Sequence, residues 1–248
     1  MITIKSKSEV DKMRAAGKIT GDALRLIEKH IKPGVSTLEL DKIAYDFIKK
    51  QGAIPSFLNY NGFPGSICAS PNDWVVHGIP SKNIVLKEGD IISIDMGACK
   101  DGYHGDAART YAVGKISDEA QKLIDVTKQS FFEGIKYATH GNKIGDVSAA
   151  IQEYVEKHGY SVVRDLVGHG IGRNLHEDPS VPNFGRAGKG AKLAAGMTIA
   201  VEPMVNKGEY DVVVLDDDWT VVTEDGSLSA HYENTILITR GECEILTL

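Results

Sequence analysis

Residues 91–110 read IISIDMGACKDGYHGDAART, and this stretch decides the fold. A short apolar run leads to the turn residues Asp101-Gly102 and then to a second, more polar run, which predicts a β-hairpin. Alternate residues of a strand point to opposite faces. The first strand therefore has one apolar face, which suits packing against helices. Its other face carries small residues and the single carboxylate of Asp95.

The hairpin also predicts a pair of acidic side chains. A four-residue loop at 99–102 places Asp95 directly opposite Asp106. Like charges that face each other across a ladder destabilise it. A metal cation between the carboxylates removes the repulsion, and so does an ion pair between Asp106 and Arg109. The hairpin alone leaves both interpretations open.

A similar stretch occurs 107 residues later, which indicates an internal duplication. At this offset Gly34 matches Gly141, each before an amphipathic helix, and Asp95 matches Glu202, each in a strand. Two amphipathic helices of equal length can match by chance, but the gapless register favours a repeat. The predicted repeat units are residues 34–97 and 141–204.

Hydrophobic periodicity predicts further elements on either side of the hairpin. Helices are expected at 8–30, from Ser36-Thr37 to Gly52, at 117–138 and at 144–158, and strands at 197–205, 211–223 and 228–239. The order of helix, helix and strands occurs twice. We therefore expect an α+β fold in which residues 1–248 form one domain, with helices on one face of a curved sheet and a functional groove on the other.

Composition excludes several classes of protein. The 248 residues carry a net charge of −6, which gives no overall case for nucleic-acid binding. No apolar run is long enough to predict a membrane span, and the basic N-terminus lacks the apolar segment of a signal peptide. The three cysteines are odd in number and widely spaced, which argues against a disulfide framework and favours a reducing cytoplasm.

The second half adds an imidazole and two more carboxylates to the candidate metal site. GHGIGRNLHE contains His169, VEP contains Glu202 and HYENTIL contains Glu233. With Asp95 and Asp106 they form an oxygen-rich set without thiolates, which suits manganese, iron, cobalt or zinc and argues against a structural zinc site. Four carboxylates in one groove need about two divalent charges to balance them, so a dinuclear centre is expected.

Six motifs, taken together, resemble one family. VVHGIP, IDMG, GDAART, GHGIGRNLHEDPSVPN, VEP and HYENTI occur in this order, and the resemblance to the type I methionine aminopeptidases extends over nearly the whole chain. It implies the pita-bread fold, in which helices cover one face of a curved antiparallel sheet made of two pseudo-twofold halves. It also implies a metal-dependent exopeptidase that hydrolyses the first peptide bond.

The resemblance implies a role for each candidate residue. Asp95, Asp106 and Glu233 would hold one of two divalent ions (Co, Mn, Fe(II) or Zn), and Asp106, His169, Glu202 and Glu233 the other. Glu202 would also transfer the proton of a metal-activated water. His77 and His176 are similar to the two histidines of the family that contact the substrate.

The methionine pocket of the family corresponds to Phe57, Tyr60, Phe63, Cys68 and Trp219. Phe57, Phe63 and Leu175 stand where some relatives carry cysteine, tyrosine and phenylalanine, which affects the expected shape of the pocket and leaves the reaction unchanged. An ordinary core is the alternative role for Tyr60, Phe63 and Trp219.

The implied substrates are the N-termini of nascent proteins, from which the initiator methionine is removed when the second residue is small. We expect a monomer in the cytoplasm, acting near the ribosome exit, with no membrane or direct nucleic-acid partner. One alternative is a pita-bread peptidase for proline-containing peptides, although such relatives usually carry a large extra N-terminal domain. Another is a binding protein without activity, although such relatives lose metal ligands.

Overall fold

The computed structural model describes residues 1–248, with four helices flanking a set of antiparallel strands. The helices are α1 (Lys7–Glu28), α2 (Thr37–Lys50), α3 (Asp118–Ile135) and α4 (Ile144–Lys157). They lie where the periodicity predicts helices, and the predicted ends extend one to three residues too far. None of the four combines the length and the apolar character that crossing a bilayer requires.

Helices α2 and α4 have the same length and lie at the same offset as the matched sequences. Each has 14 residues. Helix α2 begins with a capping box at Ser36, whereas in α4 only the reverse bond exists, from the backbone N–H of Lys143 to the Asp146 carboxylate at 2.8 Å. In α2 the Ser36 side chain accepts a hydrogen bond from the backbone N–H of Glu39, whose carboxylate accepts one from the backbone N–H of Ser36. Gly52 and Gly159, just after the two helices, both have a left-handed φ.

Fifteen strands pair to form four sheets, and every ladder is antiparallel. The strands of the first half and its hairpin are β1 (Ile54–Pro55), β2 (Ile67–Pro71), β3 (Trp74–Val76), β4 (Ile91–Lys100) and β5 (Tyr103–Ala112). Those of the second half are β6 (Ser161–Val162), β7 (Gly168–Gly170), β8 (Glu177–Val181), β9 (Thr198–Val201), β10 (Met204–Asn206), β11 (Val212–Val214), β12 (Val221–Thr223), β13 (Ser229–His231), β14 (Asn234–Leu237) and β15 (Glu244–Ile245).

The predicted hairpin exists, but its predicted register is wrong by two residues. Lys100 pairs with Tyr103, so the loop holds only Asp101-Gly102, with φ of 50° and 76°. Both values are left-handed, as a two-residue hairpin turn requires. Asp95 consequently pairs with Ala108 and Asp106 with Gly97, so the two carboxylates are diagonal neighbours on one face rather than direct partners.

Each half has its own hydrophobic core between its helices and the apolar face of its strands. Ile92, Ile94 and Met96 of β4 are fully buried against α1 and α2. Ile199 and Val201 of β9 are fully buried in the corresponding core beneath α3 and α4. The opposite faces of the same strands are therefore available to line a groove.

Three strands predicted from the second half are shorter than expected, because each is interrupted. The segment 197–205 breaks after Val201, at Glu202-Pro203, and 228–239 breaks at Tyr232-Glu233. The segment 211–223 is a hairpin of β11 and β12. At the first two breaks the chain moves between the five-stranded and a three-stranded sheet, so the single curved sheet expected for both halves consists of separate ladders.

The two halves meet where β5 contacts the break between β13 and β14. Ala108 and Glu233 exchange both backbone hydrogen bonds, at 3.3 and 3.0 Å. Next to them, Thr235 Oγ1 accepts from the backbone N–H of Asp106 at 3.0 Å and donates to its carbonyl at 2.9 Å. This seam places Glu233 of the second half beside Asp106 of the first.

Candidate active site

All the predicted site residues line one cavity of about 280 Å³. Its floor is defined as the acidic side chains and His169, and His77, His176 and the aromatic rings line the space beside them. Asp95 comes from the middle of β4, Asp106 from β5, His169 from β7, and Glu202 and Glu233 from the two strand breaks. The predicted residues that the cavity brings together are Phe57, Tyr60, Phe63, Cys68, His77, Asp95, Asp106, His169, His176, Glu202, Trp219 and Glu233.

The carboxylates of the floor are buried without enough partners. Asp106 and Glu233 are 3% and 2% exposed. One oxygen each of Asp95, Asp106 and Glu233 is buried and accepts no hydrogen bond. Such oxygens are costly to bury unless a cation or a proton neutralises them.

Burial raises the pKa of all four acids. It brings the pKa of Asp106 to about 7. The pKa values of Asp95, Glu202 and Glu233 lie well above their ordinary range because burial is reinforced by the charges of the neighbouring carboxylates. The protein alone therefore cannot hold four ionised carboxylates here, and divalent cations would restore their charge.

The imidazole of His169 is oriented as a ligand. Its Nδ1 hydrogen bonds the carbonyl of Gly170 at 2.8 Å, so the ring proton lies on Nδ1. The other nitrogen, Nε2, then presents its lone pair to the acids, 3.6 Å from Glu202 Oε1 and 3.8 Å from Asp106 Oδ2. Burial lowers the pKa of His169 to about 3, which keeps the ring neutral as metal binding requires.

These residues fit a metal site. Single ligand atoms of Asp106, His169 and Glu233 all lie within 4.8 Å of one another. The donor set is carboxylate oxygens and one imidazole nitrogen, which suits hard to borderline divalent ions. The alternative role for Asp106 is wrong, because Arg109 donates to Asn234 Oδ1 at 2.7 Å and to the carbonyls of Ala108 and Glu233.

Two further histidines, His77 and His176, line the cavity beside the floor. His176 lies against His169, with 4.2 Å between ring centroids, and its Nδ1 hydrogen bonds the Tyr60 hydroxyl at 2.8 Å. His77 has a left-handed φ of 60°, a strained conformation that is common at functional sites. Burial lowers the pKa of both rings, that of His77 to about 4, so both are neutral at pH 7.

The wall beside the histidines is apolar. Phe57, Phe63, Cys68 and Leu175 are buried, and Phe63 packs edge-on against Trp219 with 5.1 Å between centroids. Burial raises the pKa of the Cys68 thiol well above its usual value, so Cys68 contributes a neutral wall rather than a nucleophile. Such a wall suits an apolar side chain.

Sequence reasoning did not identify every residue of the cavity. Further lining residues that it did not single out are Asn61, Val76, Leu166, Val167 and Met204. It also missed Asn183, which is fully buried and donates from Nδ2 to the Glu202 carbonyl at 3.0 Å. Pro203 was the available signal, because a proline after Glu202 ends the ladder and leaves nearby backbone groups in need of other partners.

Two histidines next to predicted ligands differ in their surroundings. His231 is 2% exposed, lines the cavity, and has no hydrogen bond at either ring nitrogen. His104 instead bonds Ser56 Oγ at 2.8 Å and lies outside the cavity. Of the two, only His231 lies beside the predicted ligand Glu233, with 3.9 Å between His231 Nε2 and Glu233 Oε2.

Comparisons with known proteins agree with this geometry. Metallopeptidase family M24 matches residues 11–240. The chain is 61% identical to a methionine aminopeptidase of Clostridium acetobutylicum over 100% of this chain and 99% of that one. The crystal structure of a methionine aminopeptidase from Thermotoga maritima superposes with a TM-score of 0.98, at 48% identity over 100% and 99% of the two chains.

A more distant structure shares the fold alone. The prolidase of Pyrococcus furiosus superposes with a TM-score of 0.81 at 22% identity, and the match covers 99% of this chain and 65% of the prolidase. The expected pita-bread fold is thereby confirmed. With full-length matches at high identity, this chain belongs to the methionine aminopeptidases of metallopeptidase family M24.

Proposed function

We propose that this chain removes the initiator methionine from nascent proteins by hydrolysis, with preference for a small second residue. The observation that carries the proposal is a floor of buried carboxylates with unpaired oxygens at the base of an apolar pocket. Cations would neutralise the floor, and the pocket would accept the methionine side chain. Membership of the methionine aminopeptidases supports the substrate class.

Two divalent ions would occupy the floor. Asp95, Asp106 and Glu233 would hold one, and Asp106, His169, Glu202 and Glu233 the other, with Asp106 and Glu233 shared. Bound ions of this kind, Co, Mn, Fe(II) or Zn, lower the pKa of a bound water and polarise the scissile carbonyl. Four carboxylates on one floor support two ions rather than one, because two divalent charges balance four negative ones.

Glu202 is assigned to proton transfer. Its side chain is 14% exposed, against 4% for Asp106, so it is the more open of these two acids toward the groove. It would take a proton from the attacking water. The water oxygen then bonds to the carbonyl carbon, the carbon–nitrogen bond breaks, and Glu202 returns the proton to the leaving amine.

The two histidines are assigned to the substrate backbone. A Tyr60 hydroxyl that donates to Nδ1 of His176 leaves the proton of the neutral ring on Nε2, where it can be donated to the developing oxyanion. His77 would contact the amide of the second residue. Phe57, Tyr60, Phe63, Cys68 and Trp219 would enclose the methionine side chain.

Residues 1–248 would form one catalytic domain, in which 34–97 and 141–204 are repeat units. The equal lengths of α2 and α4 and their 107-residue offset support this organisation. We further propose a monomer in the cytoplasm, acting on nascent chains at the ribosome exit without a nucleic-acid or membrane partner. The family membership and the reducing surroundings suggested by three free cysteines support this location.

The test compares peptides on purified protein of known metal content. Release of methionine from Met-Ala-Ser, little release from Met-Trp-Ser, and no cleavage of Ala-Pro peptides would support the proposal. Activity on Ala-Pro alone would replace it with a proline-peptidase function. No cleavage of any of the three peptides, with no metal retained by the purified protein, would favour the binding-protein alternative.

A further inference from the structure

The N-terminal segment places a buried lysine behind the cavity. The backbone N–H of Lys5 donates to the carbonyl of Gly196 at 2.8 Å. Lys5 is only 9% exposed, whereas Ile4 and Ser6 on either side are exposed. Lysine is almost never buried without a charged partner, so the surroundings of its ammonium indicate what it does.

The partner of Lys5 is Glu177, the residue that follows His176. Lys5 Nζ lies 2.5 Å from Glu177 Oε2, and the two side chains are 6% and 9% exposed. Thr3 Oγ1 donates to the same oxygen at 2.7 Å. The backbone N–H of Asn174 donates to the other oxygen at 3.2 Å.

Burial tends to raise the pKa of Glu177, but the hydrogen bonds from Lys5 and Thr3 outweigh it and lower the pKa below its ordinary value. Glu177 is therefore ionised at neutral pH. Its charge is compensated by Lys5 and not by solvent, because both side chains are nearly covered.

The pair is enclosed by the irregular segment 171–176, which connects β7 to β8 and ends at His176. A Cβ at Gly172 would lie 2.5 Å from Lys5 Cε and 2.6 Å from Glu177 Oε1, so a side chain at this position would displace the ends of both side chains of the pair. The Gly172 N–H donates to the Asn174 carbonyl at 3.0 Å, and the Gly172 carbonyl accepts from the His104 N–H at 2.9 Å.

We propose that Lys5 is a positioning residue that acts through Glu177 to hold His176 at the groove. Both carboxylate oxygens of Glu177 are held by hydrogen bonds. Glu177 is the next residue after His176, so a peptide bond joins the two. Without the ammonium, a buried charge is left unpaired and must move toward water. The backbone of His176 moves with it, away from the position from which the ring contacts the scissile carbonyl.

This inference rests on the proposed role of His176, so the test is a double-mutant cycle. Lys5→Met should lower kcat on Met-Ala-Ser by about tenfold, because misplacing a catalytic group by about 1 Å already costs up to roughly 10²-fold. KM and metal stoichiometry should stay close to those of the wild type. In a His176→Ala background, Lys5→Met should cause no further loss, and Lys5→Arg should retain most of the wild-type kcat.

The matched control is Arg14→Met, which breaks the exposed ion pair between Arg14 and Glu244. It removes the same charge from the N-terminal region and should leave kcat unchanged. If Lys5→Met folds poorly, Thr3→Val removes one donor to Glu177 but keeps the ion pair. It should give a smaller loss of kcat that also disappears in the His176→Ala background.

Several results would overturn the proposal. These are an unchanged kcat in both Lys5→Met and Thr3→Val, an equal loss in both His176 backgrounds, and a loss of metal from Lys5→Met. A His176→Ala variant with wild-type kcat would instead remove the assigned role of His176, and the positioning proposal with it. A slow His176→Ala variant whose loss is independent of Lys5 would overturn the positioning proposal alone.

Discussion

Asp95 and Glu202 occupy matching positions of the two halves, yet the structure holds them in different ways. Asp95 lies within β4, which is paired on both sides, with Cys68 of β2 and Ala108 of β5 opposite it. Glu202 lies just beyond the end of β9, before Pro203, and its carbonyl is held by the Asn183 side chain. The direction of Asp95 follows from strand alternation, whereas that of Glu202 depends on a break in the ladder.

The difference suggests that Asp95 only binds a cation, whereas Glu202 also transfers protons. A carboxylate in a doubly paired strand has little freedom, which suits a residue that only binds a cation. A carboxylate beyond the end of the ladder is less constrained by strand pairing, which suits proton exchange with a water and a leaving group. The first half would thus supply rigid ligands, and the second half both ligands and the proton carrier.

The largest expected effect is that of replacing Glu202, the acid assigned to proton transfer. Glu202→Gln removes a ligand charge and the proton carrier, so we expect turnover to fall by about 10²–10⁴-fold even with excess metal. Asp95→Asn should recover more activity than Glu202→Gln as metal is added, because only a ligand is lost. Steady-state kinetics across a metal titration makes the comparison, and equal recovery of the two variants would contradict this difference between Asp95 and Glu202.

The next effect separates two histidines of the second half. His176→Ala should keep the metal content but lower kcat by about 10²–10³-fold, because an oxyanion contact strengthens only as charge develops. His169→Ala should lose affinity for one ion. Elemental analysis beside kinetics on Met-Ala-Ser tests both, and loss of metal from His176→Ala with full retention in His169→Ala would exchange their roles.

Metal should also stabilise the seam between the halves, because the proposed ligands come from both. A hundredfold excess over the dissociation constant should add about 2.7 kcal/mol to the free energy of unfolding. Thermal melts across a metal titration measure this gain, with Glu202→Gln as a variant expected to gain less. Melting curves that do not respond to metal would argue against a site that prefers the folded state.

A smaller effect tests the support beneath Glu202. Asn183→Ala leaves the Glu202 carbonyl without its donor, which should cost about 1–3 kcal/mol of stability and lower kcat several-fold, an effect of about 1 kcal/mol. Asn206→Ala is the matched control, since Asn206 is also fully buried and donates from Nδ2 to the Glu209 carbonyl, at 2.9 Å. Equal kcat values in the two variants would show that Asn183 supports the fold and not Glu202.

The sequence predicted the fold and, with the family resemblance, twelve residues that line one cavity, but not the geometry between them. Alternation in β4 correctly placed Ile92, Ile94 and Met96 in the core, because strand periodicity alone determines that face. The predicted register of the hairpin was wrong, because the register depends on how many residues the turn contains. Asp101 adopts a left-handed φ of 50°, which shortens the loop to two residues.

Long-range contacts were beyond the reach of local patterns. The ion pair between Lys5 and Glu177 joins residues 172 positions apart, and the bond from Asn183 to Glu202 bridges two segments. Neither leaves a periodic signal. The break at Pro203 could have been expected, because proline lacks the N–H that a continuing ladder needs.

The shared two-metal site is tested most directly by the metal stoichiometry of three proteins: wild type, Asp95→Asn and Glu202→Gln. Elemental analysis after equilibration with Mn²⁺ or Co²⁺ and removal of weakly bound metal gives the number of ions per chain. In the proposed site Asp95 binds only one ion and Glu202 only the other. The wild type should therefore hold two ions, and each variant one. A wild type that saturates at one ion, or variants that keep two with unchanged affinity, would contradict the shared two-metal site.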